Sequence, residues 1–214
     1  MREDVKSQTG TRQRPTLRDE RAALTRTRIA EAARRCFAQT GYGATTLQAI
    51  AGEAGVAVQT VYAVYSSKAG ILRALRASLV NQPAAERLYG EALAVAPAEP
   101  GQALDLFARS IRGRWEAGAD VVRAHAEAAA TNAALRAEVE VVLERRRGGI
   151  RQLAGALAAG LAPHVDVARA AAIMDVLTLP EIYSELTLIA GWSPDAFEAW
   201  LARALRRELL APGA

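Results

Sequence analysis

The sequence predicts an all-α fold, on three observations. Apolar residues recur at helical spacing through most of the chain, as with Ile29, Ala33 and Phe37. Alanine is abundant and only 5% of residues are aromatic, a composition that favours helix over strand. No alternating run reads as a strand, and no internal repeat is found.

The elements follow in order. Residues 1–18 are polar, show no apolar period and carry Arg2, Lys6, Arg12, Arg14 and Arg18, so they read as a disordered basic arm. From Arg21 a helix runs to Gly41, where "QTGYGATT" supplies a loop. Thr46 is placed to cap a helix over 47–54, whose Leu47, Ile50, Ala51 and Ala54 share a face. Gly55 permits a left-handed turn, and a short helix over about 58–64 follows. Ser67 can cap a further helix from Lys68, with Ile71, Leu72, Leu75 and Leu79 on its inner face.

Behind Pro83 and the break "APAEPG" the chain reads as a series of helices. Leu104, Phe107, Ile111 and Trp115 form one stripe, and Val121, His125, Ala128 and Asn132 the face of the next helix. A longer helix over about 133–160 turns Leu135, Val139, Leu143, Ile150, Leu153 and Leu157 inward. Two final helices, about 166–190 and 194–211, flank "GWSPDAF", with Ser193 as N-cap, Pro194 at the first helical position and Pro180 bending the first of the pair. The expected organisation is an arm (1–18), a three-helix unit (19–66), a connecting helix (67–80) and a C-terminal domain (81–214).

Charge divides the chain in the same way. Residues 1–80 carry 13 Lys and Arg against 6 Asp and Glu, and residues 81–214 carry 14 against 17. A basic front and an acidic rear point to a polyanion at the front. The single cysteine, Cys36, excludes an intramolecular disulfide and reads as a small buried hydrophobe in a cytoplasmic protein. No run is long and apolar enough for a membrane helix, so no membrane partner is expected. Neither a metal-ligand pair, nor a nucleophile elbow, nor a phosphate loop occurs, and His125 and His164 lie on different elements. No cofactor, metal or enzymatic activity is expected.

The stretch "GVAVQTVYAVYSSKAGIL", residues 55–72, concentrates hydroxyl and amide groups beside the basic front. A helix over 47–54, a glycine turn and a second short helix make a helix-turn-helix, in which the second helix enters the DNA major groove. Gln59 and Thr60 then face out at its start. Glutamine suits an adenine edge, and threonine a thymine methyl or a phosphate. Tyr62 and Lys68 are placed to hold phosphates, while Val61 points inward.

On these residues the span 25–72, with "GVAVQTVY" followed by "SSK", resembles the TetR family of bacterial transcriptional regulators. The resemblance covers about a quarter of the chain. It puts Thr46, Gln59, Thr60, Tyr62 and Lys68 at DNA-contact positions. Ala57 stands where the family commonly has a capping serine. Val64 stands where it often has a phosphate-binding Tyr or His, a contact that Tyr65 or the arm, through Arg12, Arg14 and Arg18, could supply. Tyr65 also matches a position usually held by a core aromatic. The resemblance further implies repression, a homodimer on a double-stranded operator, and release by a small-molecule effector.

The last two helices offer Ile173, Leu177, Ile182, Phe197, Trp200, Leu201 and Leu205 for a four-helix dimer interface. Trp115, His125 and Arg146 are the candidate pocket residues. Arg146 interrupts an apolar stripe and needs a partner, either a ligand anion or an acid such as Glu116 or Glu127. The alternatives are a helical DNA-binding protein without an effector and, from another class, an all-α enzyme.

Overall fold

The computed structural model describes residues 16–80 and 82–212. Among them the chain forms ten α-helices and no strand beyond an isolated bridge between Leu161 and Leu210. In order these are α1 (Leu17–Ala44), α2 (Leu47–Ala54), α3 (Val58–Tyr65), α4 (Lys68–Val80), α5 (Pro83–Val95), α6 (Pro100–Thr131), α7 (Ala133–Ala156), α8 (Val167–Leu177), α9 (Pro180–Ser184) and α10 (Pro194–Leu209). A π-helical turn, Glu185–Ile189, extends α9.

Local chemistry sets the boundaries. Thr16 caps α1 in a capping box with Asp19, so the helix begins at Leu17. Of the arm expected over 1–18, residues 1–15 lie outside the described residues, and Thr16 to Arg18 are the cap and first turn of α1. The basic arm's Arg12 and Arg14 therefore also lie outside them. Ser193 caps α10, accepting from Ala196 N at 3.1 Å, with Pro194 in the first turn as expected.

Pro180 does more than bend a helix. It has no N–H to donate, so α8 stops at Leu177 and α9 restarts on the proline itself. Two carbonyls near the break take side-chain donors instead. Arg146 Nη2 donates to Asp175 O at 2.7 Å and Trp115 Nε1 to Thr178 O at 3.1 Å.

Two apolar cores divide along α6. The front core joins Ile29, Phe37, Ile50, Val61, Ile71 and Leu72 to Val121, Ala124 and Ala128 of the second half of α6. The rear core joins Leu104, Phe107, Ile111 and Trp115 of its first half to Leu153, Met174, Phe197, Leu201 and Leu205. Each large apolar side chain contributes about 1.5–3 kcal/mol when fully buried. The halves of α6 meet at Gly118, which leaves helical geometry (φ −164, ψ 22).

Polar ties fasten the second half of α6 to α1. Arg34 grips Asp120 with two nitrogens, at 2.6 and 2.8 Å, and donates to Ala117 O at 2.8 Å. Glu127 accepts from Tyr42 N and Gly43 N, both at 2.8 Å. Cys36 is half-buried rather than fully interior.

Candidate functional site

The helix-turn-helix is built as its residues require. Thr46 Oγ1 accepts from Ala49 N at 3.1 Å and starts α2. Gly55 (φ 64, ψ 41) ends α2 in the left-handed region, where glycine carries no Cβ penalty. Arg28 Nη2 donates to Ala54 O at 2.7 Å, placing a cation at the negative end of α2. At the next turn Ser67 Oγ accepts from Gly70 N at 3.0 Å. A Cβ on Gly70 would lie 2.1 Å from Tyr65 O, so only glycine lets α4 leave α3 this closely. Ala57 gives α3 no side-chain cap, which leaves its first amides without that partner.

Two faces of α3 separate cleanly. Val61 (1% exposed) and Tyr65 (9%) enter the front core, while Gln59 is exposed and Tyr62 is 52% exposed. Gln59 and Tyr62 are three residues apart and so share a face. Thr60 is half-buried beside them, and Thr46 is exposed at the start of α2. These four are free to meet a ligand.

The structure puts Tyr65 and Lys68 to other use. Tyr65 Oη donates to Arg26 O at 3.0 Å, Arg26 lies over its ring at 5.4 Å, and burial raises the phenol's pKa. Tyr65 is thus a core residue, and not a substitute for the phosphate contact missing at Val64. Lys68 Nζ donates to Tyr42 O, to Gly43 O at 3.2 Å and to Thr45 O at 2.7 Å. Its three protons cap the carbonyls that end α1, and burial lowers its pKa. Spacing alone does not show that α1 ends across from Lys68.

Behind this unit α4, α5, α6 and α7 line a cavity of about 420 Å³, together with Leu179 and Pro180. That lies in the range of small-molecule sites. Trp115 and Arg146 both line it. Arg146 is paired with Asp175 of α8 and donates to Thr178 Oγ1 at 2.8 Å, so neither Glu116 nor Glu127 is its partner. Glu116 faces Arg112 at 3.2 Å and Glu127 holds α1. His125 is not among the lining residues. It is 2% exposed in the front half of the molecule, with Nε2 3.9 Å from Glu138. Sequence spacing puts it on the right face of the wrong half of α6, because spacing does not reveal the turn at Gly118.

Residues 29–75 match the family described as bacterial regulatory proteins, tetR family. The matched region is thus a helix-turn-helix of the kind this family carries. The match takes in α2, α3 and the start of α4, so the helix-turn-helix is the part that carries it. Solved structures share the fold over most of the chain. NalD, the secondary repressor of the MexAB-OprM multidrug efflux pump in Pseudomonas aeruginosa, is 20% identical and superposes with a TM-score of 0.68, over 90% of this chain and 99% of that one. SmeT in complex with triclosan gives 16% identity and 0.62, over 89% and 93%. PfmR from Thermus thermophilus gives 21% and 0.61, over 85% and 97%. No curated protein matches the chain. At under 25% identity these structures show the shared fold, while the family match is confined to the helix-turn-helix region. Among the described residues no helix is long and apolar enough to cross a membrane.

Sequence reasoning missed three residues of the cavity. Arg76 and Arg114 line the cavity, and Tyr89, which donates to Gly149 O at 2.7 Å, spans it from α5 to α7. A signal was available. Arg76 follows Leu72 by four residues and precedes Leu79 by three, and Arg114 follows Ile111 by three. A cation at helical spacing within an apolar stripe marks a polar lining.

Proposed function

We propose that the chain is a homodimeric repressor that binds a two-fold operator through α3 and leaves it when a small molecule fills the cavity. The observation that carries this reading is that one helix serves both sites. α4 begins at Lys68, directly after the turn that ends α3, and its far part, Arg76 and Leu79, lines the cavity. A ligand that moves α4 moves α3 with it.

On the DNA side, Gln59 is the base reader and Tyr62 and Thr46 are phosphate contacts, with Thr60 beside them. The exposed start of α2 adds amide donors for a phosphate. On the dimer side, Val176 (56% exposed), Leu188 (63%), Ile189 (74%) and Trp192 (37%) present apolar surface around the last two helices. Phe197, Leu201 and Leu205, expected in that interface, are fully buried in the chain's own core and contribute nothing to it directly. NalD's description as a repressor and SmeT's complex with triclosan support the two halves of the reading.

Operator selection from random DNA tests it, followed by titration of the selected duplex with and without ligands found by thermal-shift screening. The reading expects a two-fold sequence with half-sites about 34–36 Å apart, bound by two chains. Cavity ligands should weaken binding about 5- to 150-fold. Operator affinity indifferent to every cavity ligand would instead favour a DNA binder without an effector.

A further inference from the structure

The cavity lining combines apolar and cationic side chains. Phe107, Ile111, Trp115 and Ile150 supply the apolar wall. Four arginines, Arg76, Arg114, Arg145 and Arg146, line it against one carboxylate, Glu86. Asp175 neutralises Arg146, but Arg146 Nε is buried with no hydrogen-bond partner among the described residues. Arg114 lies near enough to disfavour the charge on Arg146. Only more distant acids offset the others, Glu138 for Arg76 and Glu86 for Arg114. Burial pulls the pKa of all three guanidinium groups, Arg76, Arg114 and Arg146, below the usual arginine value.

Two like charges beside an apolar wall, with an N–H left over, form an incomplete arrangement. Partly dehydrated cations are stabilised by an anion between them, and a guanidinium fork fits a planar or tetrahedral oxyanion. A neutral ligand would bury these charges further without compensating them, and a cationic one would add repulsion. We propose that the cavity selects an apolar molecule bearing one anionic headgroup, seated between Arg114 and Arg146, with its body against Trp115, Ile111 and Ile150. This rests on the cavity being the effector site. It also puts the headgroup in the same cavity as Arg76, so charge recognition reaches α4 directly.

Two fluorescent probes that differ by one group test the proposal. Anilinonaphthalenesulfonate carries a sulfonate, and N-phenyl-naphthylamine is its neutral counterpart. Titrated against the intact protein, the sulfonate should bind at least about tenfold tighter. Arg114→Met should remove most of that preference and leave the neutral probe unaffected, while Arg114→Lys should keep part of it. Arg114 lines the cavity but belongs to neither apolar core, so its replacement spares the core. Val142→Trp, which fills the cavity from α7, should abolish both signals. Equal affinities, or a preference that survives Arg114→Met, would overturn the anionic class and leave the effector site standing. If neither probe binds, or both bind Val142→Trp as well as wild type, the effector site falls too.

Discussion

Leu79 of α4 sits in the turn that Gly118 makes in α6: a Cβ added at Gly118 would lie 2.3 Å from Leu79 Cδ1. The dihedral at Gly118, φ −164, is open to any residue, so contact and not conformation keeps this position small. The same Leu79 lines the cavity. The point where the connecting helix crosses the hinge of α6 is thus within reach of a bound ligand.

Gly118→Ala should drive Leu79 toward the cavity. The expected cost is about 1–3 kcal/mol of stability, as for other overpacked contacts, with a smaller accessible volume for ligands. Denaturant titration and probe binding measure both. A variant as stable as wild type with unchanged probe affinity would show that Leu79 moves aside freely.

Lys68 and Glu127 both hold the backbone of the same two residues. Lys68 takes the carbonyls of Tyr42 and Gly43, and Glu127 takes their amides, which lowers the carboxyl pKa. Lys68→Met should cost about 2 kcal/mol of stability through three charge-assisted bonds. Glu127→Gln should cost less, about 1 kcal/mol, because Glu127 is solvent-exposed. Lys68→Met should also weaken binding to every DNA alike while leaving the slope of log K against log[salt] unchanged, since its charge is spent inside the protein. A slope shallower by about one per half-site would put Lys68 on a phosphate after all.

His125 makes stability depend on pH. Burial lowers its pKa, with Arg76 and then Arg73 adding to the effect and Glu138 opposing it. These groups come from α4 and α7, the elements packed around the ring on α6. The unfolded histidine takes up its proton near pH 6.5, whereas the folded one resists until lower pH. Stability should therefore be unaffected by this group above about pH 7, and should fall as pH drops through 6.5 toward the folded pKa. Urea midpoints between about pH 7.5 and 5.5 check this, and His125→Gln should flatten the profile. An equal slope in both proteins would remove His125 as its source.

The proposed dimer face is open to the same treatment. Leu188→Glu together with Ile189→Asp should convert a dimer to a monomer in sedimentation equilibrium, without a change in helix content. Both side chains are exposed in the single chain, so the fold loses little. A dimer that survives both charges would place the interface elsewhere.

Much of this protein was legible in its sequence, for a physical reason. Helices, caps and the helix-turn-helix are local, and Thr46, Gly55, Ser67, Ser193 and Pro194 act within four residues of themselves. What escaped was decided across the chain. Tyr65 finds Arg26 O, 39 positions away, and Arg146 finds Asp175, 29 positions away. Nothing in the spacing of either residue names its partner. Pro180 was visible as a disturbance, but the break it makes is permitted by Arg146 and Trp115, which take up that role only when the fold brings them to its carbonyls.

The central claim is that the outer face of α3 reads DNA, and Gln59 tests it most directly. Fluorescence anisotropy should compare wild type and Gln59→Ala on the selected operator and on scrambled DNA at one fixed salt concentration. The account predicts a loss of about 1–3 kcal/mol on the operator and little change on the scrambled duplex. An equal loss on both, or none on either, would contradict it.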